Sequence, residues 1–340
     1  MRKDMRIGFA CKYMHPDQSL PPKLLEEIQR PYSEKKTTVT WLGNQTREIA
    51  EQKLWDIITH NGKAAKNLVE FVGGLEPELR MVRIGSDQLP VYTHPDWKYF
   101  YKKTDVINYA EKLYKQVGDS ARKYDVRISF HPGQFCVMAS DKPAVVERSI
   151  EEFEYHNDLI RWMGFGKTFH DAKCNVHISG RQGPEGIRKA FKRLSPEARN
   201  TITVENEEIS WGLDDCLSLS DIVPTVLDVH HHWVREGEYI LHTDDRVKRV
   251  IDSWKGVRPT MHYSVSREDL LTDHSTQDLP NMEHLLQKGF KKQKLRAHSD
   301  YFWNQAVNDL VIQFWSDFDI MCESKAKNLA SIKFYKDWSK

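Results

Sequence analysis

Imidazole and carboxylate side chains occur at or just after the end of nearly every short β-rich run in this sequence. The set comprises His94, His131, His177, Glu205, Asp228, His230, His231, His232, His262 and Glu323, and His298 and Asp300 lie shortly before the last run. Nitrogen and carboxylate oxygen suit Zn²⁺, Mn²⁺ or Fe²⁺, and the absence of cysteine argues against a structural zinc site. Two ions bridged by a carboxylate can hydrolyse phosphate esters by activating water and holding the leaving oxygen. We therefore predict metal-assisted hydrolysis.

Three carboxylates in this set are the candidate catalytic groups. Glu205 ends the β-branched run TITVEN, where a carboxylate is costly to bury unless it is paired or bound to a metal. The same argument applies to Asp228 in TVLDVH and to Glu323, although Lys325 could satisfy Glu323 as an ordinary ion pair.

The three consecutive histidines after Asp228 cannot all bind one ion if they continue an extended strand. Side chains then alternate between two faces, so either His230 and His232 share a face or His231 stands alone. Isolated histidines have no partner at ligand spacing, and for these we expect surface or core roles: His60, His156, His170 and His284. His242 receives no assignment.

Short strands alternate with amphipathic helices along the chain, which predicts parallel strands joined by crossover helices. The expected strands are MRIGFAC, MVRIGS, VRISFH, CNVHIS, TITVEN, PTVLDVH, PTMHYS and FDIMCES. Eight such units predict a (β/α)₈ TIM barrel with its chemistry at the C-terminal ends of the strands. An open doubly wound sheet would need a glycine-rich turn after the first strand, and GFACKYM has none.

Composition is that of an ordinary globular protein. The 340 residues are 39% hydrophobic and 29% charged with a net charge of +1, so no global positive field attracts nucleic acid. We expect a single domain over residues 1–340, with long loops near 14–40 and 266–293. The five dispersed cysteines and the lack of a secretory or membrane-spanning segment favour a reducing, cytoplasmic location.

Two motifs carry a family resemblance. HPGQF, which begins at His131, and LDVHHH, which ends at His232, resemble the UV damage endonucleases, metal-dependent barrel enzymes related to endonuclease IV. The other matching stretches occur in the family's order: RIGFAC, RIGSDQLP, ERSIEEFEYH, VHISG, TVENEE, PTMHYS, HSDY and MCESK. The likeness runs from near residue 6 to past residue 325, and HPGQ combined with the aspartate and three histidines is specific.

The resemblance implies a DNA repair enzyme that cuts the backbone 5′ to a UV photoproduct at a site of three divalent ions, with Mn²⁺ favoured and Zn²⁺ the alternative. Carried over residue by residue, the implied ligands are His94, His131, His177, Glu205, Asp228, His231, His262, His298 and Glu323. Glu205 would bridge two ions, and His231 with His298 would serve the third.

The family also probes damaged DNA with a Gln–Tyr pair, which is here Gln134 and Phe135. Phe135 keeps a flat wedge that can fill the gap between unstacked bases but has no hydroxyl. Phe9 and Tyr13 stand where the family tends to have a tyrosine and an asparagine. Thr260 replaces a lysine described two residues before the histidine of the seventh strand.

With a net charge of +1, cations that bind DNA phosphates must cluster locally. The candidates are Lys35, Lys36, Arg47, Arg181, Arg267 and the run Lys288 to Arg296, KGFKKQKLR being the densest basic stretch. The expected partner is damaged double-stranded DNA, with no membrane and no obligate protein partner, the protein being a monomer. The alternatives are an abasic-site endonuclease, a metal-dependent sugar isomerase or epimerase, and a DNA-binding protein whose metal site has decayed.

Overall fold

The structure is a computed structural model that describes residues 5–338. Eight parallel strands pair in chain order, and the last pairs with the first to close a barrel. They are β1 (Ile7–Ala10), β2 (Met81–Arg83), β3 (Arg127–Phe130), β4 (Lys173–His177), β5 (Ile202–Glu205), β6 (Thr225–Asp228), β7 (Thr260–Tyr263) and β8 (Asp319–Cys322). Seven of the eight lie within runs predicted from the sequence, β4 begins one residue before its run CNVHIS, and the (β/α)₈ TIM barrel is confirmed.

Fourteen α-helices occur among the described residues. They are α1 (Pro22–Gln29), α2 (Val39–Gly43), α3 (Arg47–Gly73), α4 (Thr104–Lys123), α5 (Pro143–Trp162), α6 (Gly183–Phe191), α7 (Pro196–Thr201), α8 (Leu213–Leu217), α9 (Val229–Glu236), α10 (Asp245–Ser253), α11 (Met282–Gln287), α12 (Lys292–Leu295), α13 (Gln305–Ile312) and α14 (Lys327–Trp338). Short 3₁₀ turns cover Arg30–Tyr32, Pro77–Leu79, Phe100–Lys102, Glu268–Leu270 and Gln313–Ser316. Long loops were expected over residues 14–40 and 266–293, but α1 lies within the first segment, α2 begins at its end, and α11 lies within the second.

Alternation along each strand sends one set of side chains toward the helices and the other into the barrel. Phe9 and Val82 belong to the apolar layer under the helices and are almost fully buried. Strand register then aligns the polar set at the C-terminal end, because His177 pairs with Glu205 and Asp228 pairs with His262. The ordinary packing of the fold thus brings these four side chains together.

The histidine run does not continue β6 as an extended strand, and that part of the prediction is wrong. Helix α9 begins at Val229, because the Asp228 carboxylate accepts a hydrogen bond of 2.7 Å from the backbone N–H of His231 and caps the helix. Successive residues of a helix diverge by about 100°. His230 therefore stacks on Trp233 with ring centroids 5.6 Å apart, while His231 faces Glu205.

None of the helices within residues 5–338 is both long and apolar enough to cross a membrane. All five cysteines are free thiols, and all but the half-buried Cys11 are buried, as expected for small apolar side chains.

Candidate metal centre

Glu205 lies at the centre of a cluster of imidazoles at the C-terminal end of the barrel. Its Oε2 is 3.0 Å from Nδ1 of His262, 3.3 Å from Nε2 of His131 and 3.8 Å from Nε2 of His177. Its Oε1 is 3.3 Å from Nδ1 of His231. The Glu205 side chain is fully buried, so a single carboxylate is shared by four histidines from four different strand ends.

Asp228 is held rigidly beside this cluster. The Asn206 side chain makes two hydrogen bonds to the Asp228 backbone. It donates to the Asp228 carbonyl at 3.0 Å and accepts from the Asp228 N–H at 2.9 Å. One carboxylate oxygen of Asp228 caps α9, while Oδ2 has no hydrogen-bond partner among the described residues. The free oxygen is therefore available to a ligand.

Glu323 enters the site from β8 and pairs with Arg83 of β2. These two strands flank β1, and Ala10 lies in register with Arg83, so its small side chain leaves room for the pair. Oε1 of Glu323 is also 3.4 Å from Nδ1 of His262. Glu323 thus joins the cluster through His262, and its ion-pair partner is Arg83; Lys325 instead lies 3.9 Å from Asp300.

Backbone carbonyls orient two of the imidazoles. Nδ1 of His131 lies 2.9 Å from the carbonyl oxygen of Pro132, and Nδ1 of His231 lies 2.9 Å from that of Asn206. With the Nδ1 proton donated to a carbonyl, the lone pair of Nε2 is free to coordinate a metal. This arrangement is the usual second contact of a metal-binding histidine.

Within the cluster, burial and charge pairing shift the pKa values in opposite directions. Burial alone would raise the pKa of Glu205, but the facing imidazoles of His262 and His177 hold it well below its usual range. Burial would lower the pKa of His231 and His262, yet their carboxylate neighbours raise both. Asp228 differs, because burial raises its pKa to about 7. The pKa values of His231 and His262 therefore follow their carboxylate neighbours, whereas burial lowers the pKa of His177 to about 4.

Three buried atoms of the cluster have no hydrogen-bond partner among residues 5–338: Glu205 Oε1, Asp228 Oδ2 and His262 Nδ1. Such orphaned atoms are rare in folded proteins and call for an explanation. Two groups of three residues could each hold an ion, because their ligand atoms lie within 4.8 Å of one another. The first group is His131, His177 and Glu205, and the second is Glu205, Asp228 and His262. The nitrogen and oxygen donors fit divalent metal ions, with Glu205 common to both sets.

Two of the implied ligands lie at the edge of this cluster. His94 is half-exposed in the loop after β2, where its Nδ1 accepts from the Asp96 N–H at 3.3 Å. It lines a cavity of about 630 Å³ that Phe135 also borders. His298 packs edge-on against His230, with ring centroids 5.8 Å apart, and burial lowers its pKa while Glu323 opposes that shift. Neither histidine is in the two sets of close ligand atoms.

The residues implied to probe DNA occupy contrasting positions. Gln134 is exposed and Phe135 is 85% exposed on the loop after β3, next to His131. Phe9, by contrast, is 1% exposed within the apolar layer, so we withdraw it as a residue that contacts DNA. Tyr13 is half-buried and packs on Tyr32 and Phe71, with ring centroids 4.5 and 4.7 Å away.

Several residues of the site escaped the sequence analysis. Asn175 of β4 donates to Glu205, and Arg83 pairs with Glu323. Glu207 lies 4.0 Å from His177, and Glu208 lies 3.8 Å from His231. The only signal for the two glutamates was their place in TVENEE, directly after Glu205; Asn175 and Arg83 carried none.

Comparisons with known proteins identify the family of the chain. Residues 5–340 match the family described as UV-endonuclease UvdE. The chain is 24% identical over 317 residues to the UV DNA damage endonucleases of Bacillus thuringiensis subsp. konkukian (strain 97-27) and Bacillus anthracis (strain A0248), covering 90% of this chain and 89% of each relative. It also resembles the crystal structure of SacUVDE, with a TM-score of 0.71, 23% identity and 99% of both chains covered. The protein belongs to the UV-endonuclease UvdE family.

Proposed function

We propose that this protein is a metal-dependent DNA repair endonuclease that cuts the phosphodiester backbone 5′ to UV photoproducts. The observation that carries the proposal is the buried Glu205 at the mouth of the barrel, which is shared by four imidazoles and whose Oε1 has no hydrogen-bond partner among residues 5–338. Family membership and the names of the Bacillus relatives supply the substrate class.

The proposed ligands are His131, His177, Glu205, Asp228, His231, His262 and Glu323, with His94 and His298 completing the set of nine. Bound ions, three in our proposal and Mn²⁺ by preference, would supply Lewis-acid polarisation of the phosphoryl oxygen and lower the pKa of an attacking water. Glu205, Asp228 and Glu323 are the proposed catalytic carboxylates, and no serine or cysteine nucleophile is required.

The chain itself contributes orientation. Asn206 fixes Asp228, Arg83 fixes Glu323, and the carbonyls of Pro132 and Asn206 fix the rings of His131 and His231. Such outer contacts typically change metal affinity or activity by about 10- to 100-fold when they are lost. Phe135 projects from the rim as the proposed wedge, with Gln134 beside it.

The decisive experiment is a nicking assay with Mn²⁺ on supercoiled DNA that is UV-irradiated, abasic or undamaged. We expect strand breaks on the irradiated DNA and their loss on chelation of the metal. Breaks on abasic DNA alone would favour the abasic-site endonuclease instead, and no breaks on any substrate would contradict the proposal. Undamaged DNA is the control for general nuclease contamination.

A second assay separates damage recognition from chemistry. Replacing Gln134 and Phe135 together by alanine should spare metal binding and weaken the preference for irradiated over undamaged DNA. The high exposure of Phe135 makes a loss of folding an inadequate explanation, since its truncation leaves no cavity in the core. An unchanged preference would refute the wedge.

A further inference from the structure

A groove between α9 and α12 opens beside the metal centre. Its cavity measures about 570 Å³, and its walls include Arg235, Lys292 and Arg296 together with the carboxylates of Glu208 and Glu236. Lys292 reaches across to the carbonyl of Arg235 at 2.7 Å and so ties the two helices together. The groove is therefore a built feature, with cations from both helices.

One carboxylate joins this groove to the cluster around Glu205. Oε1 of Glu208 is 3.0 Å from Arg296, and Oε2 of the same residue is 3.8 Å from Nε2 of His231. The groove therefore adjoins the metal centre, within reach of a polyanion that has one phosphate there.

Inside the groove, Arg296 is paired with Glu208 and Arg235 with Glu236, so any uncompensated charge must lie on neighbouring lysines. Four of the other cations considered as phosphate contacts are also neutralised: Lys36 by Asp87, Arg47 by Glu51, Arg181 by Asp141 and Arg267 by Asp269. Lys288, Lys291 and Lys294 differ, since all three are exposed and none has an ion-pair partner within the described part of the chain. We call these three residues the lysine rim.

We propose that the groove and its lysine rim bind the sugar-phosphate backbone of DNA outside the metal centre. This inference rests on the proposed function for the identity of the polyanion. Uncompensated lysines confer affinity that is independent of sequence and damage, because each phosphate contact releases condensed counterions. The rim thereby gives a protein of net charge +1 the local positive field that its composition lacks.

The test compares two triple variants of the full chain. The rim variant is Lys288→Gln, Lys291→Gln and Lys294→Gln. The control variant is Lys63→Gln, Lys112→Gln and Lys248→Gln, which removes three exposed lysines, likewise without ion-pair partners in residues 5–338, from α3, α4 and α10. Both variants lose the same net charge, so a general electrostatic effect would be equal in the two.

Binding to a fluorescently labelled, undamaged duplex is measured by anisotropy at several salt concentrations without added metal. We expect the rim variant to bind at least about tenfold more weakly than the control, and its slope of log K against log salt to fall by about 2 to 3. Equal affinity and slope in the two variants would overturn the inference. A rim effect with no nicking of irradiated DNA by the unaltered protein would instead contradict the proposed function and leave the groove standing.

Discussion

The two ends of the barrel both bury carboxylates, but they treat them differently. At the N-terminal end, Asp319 of β8 is 2% exposed and accepts hydrogen bonds from the Arg6 backbone N–H at 2.8 Å and from the side chains of Arg127 and Arg258. At the C-terminal end, Glu205 and Asp228 are as deeply buried, but each keeps one oxygen without a hydrogen-bond partner among residues 5–338. The satisfied carboxylate is structural, whereas the unsatisfied ones are those that we propose as metal ligands.

The comparison also separates two kinds of cavity. The N-terminal end has a cavity of about 390 Å³ lined by Arg6, Arg127 and Arg258, yet the guanidinium groups of all three are engaged with carboxylates or carbonyls. Contacts at this face of a TIM barrel typically stabilise the fold. A cavity lined by charge thus indicates a binding site only when that charge is left unpaired.

The variant with the largest expected effect is Glu205→Gln, which tests the difference between the two ends of the barrel. We expect full loss of nicking, at least about 10³-fold, because the Lewis acid's contribution of several kcal/mol disappears with the shared ligand. Added Mn²⁺ should raise the melting temperature of the unaltered protein and leave that of the variant unchanged, since only binding to the folded state stabilises. Retained nicking or retained stabilisation by Mn²⁺ would remove Glu205 from the centre.

The reciprocal variant is Asp319→Asn. Removing the charge of the buried Asp319 leaves the half-buried Arg127 and Arg258 without their carboxylate and should lower the free energy of unfolding by about 3–5 kcal/mol. Mn²⁺ binding below the melting temperature should be unchanged, as followed by calorimetry. The matched control at the same end is Asp125→Asn, because Asp125 pairs with Arg6 but is 79% exposed, and we expect a loss of at most about 1 kcal/mol. Equal losses in the two variants would contradict the structural role of Asp319.

A smaller effect is expected from a residue that hydrogen-bonds to one of the proposed ligands. Asn175→Leu removes the donor to Glu205 and should weaken metal affinity by about 10- to 100-fold while leaving the cluster's own side chains intact. Thr203→Val is the control, since the Thr203 hydroxyl donates at 2.8 Å to Oδ1 of Asn175 and does not contact Glu205 through any hydrogen bond among residues 5–338. We expect a loss of a few-fold at most there. Metal titration followed by calorimetry distinguishes the two, and equal affinities would assign Asn175 to packing alone.

Local sequence predicted the strands well because hydrophobic periodicity and β-branching are properties of consecutive residues. It misassigned His230 and His232 to a strand because the cap formed by Asp228 starts a helix immediately after β6. Phe9 was misplaced for a related reason: the face of β1 it occupies follows from strand alternation within the closed barrel, not from a motif.

The outer contacts of the site could not be predicted in the same way. Arg83 and Glu323 are 240 residues apart and meet only because β2 and β8 flank β1 in the closed barrel. Asn175 and Glu205 likewise meet across neighbouring strands. Ligand types can be inferred from chemistry at strand ends, whereas the partners that orient them require the register of the sheet.

His156 sharpens the contrast between the imidazoles around Glu205 and an imidazole buried in the helical layer. It was expected to have a core or surface role, and it is fully buried on α5, with Nδ1 2.8 Å from the Glu152 carbonyl and 3.9 Å from the Glu152 carboxylate. Its Nε2 has no hydrogen-bond partner among residues 5–338. Burial lowers its pKa from 6.5 to about 4, the opposite of the shift at His231 and His262. His156 therefore folds in its neutral form.

The smallest predicted effect follows from that shift. His156 binds its proton near pH 6.5 in the unfolded chain but only near pH 4 in the folded protein. The contribution of neutral His156 to the free energy of unfolding is therefore complete above pH 6.5 and decreases as the pH falls from 6.5 to about 4. The decrease amounts to about 3 kcal/mol at most. At pH 8, His156→Leu should lower the free energy of unfolding, because the imperfect packing of leucine and the lost hydrogen bond dominate there. The difference in stability between the variant and the unaltered protein should become smaller as the pH approaches 4. Urea unfolding of both proteins at several pH values measures the difference. A deficit that stays constant from pH 8 to pH 4 would show that the folded protein binds the His156 proton as readily as the unfolded chain does.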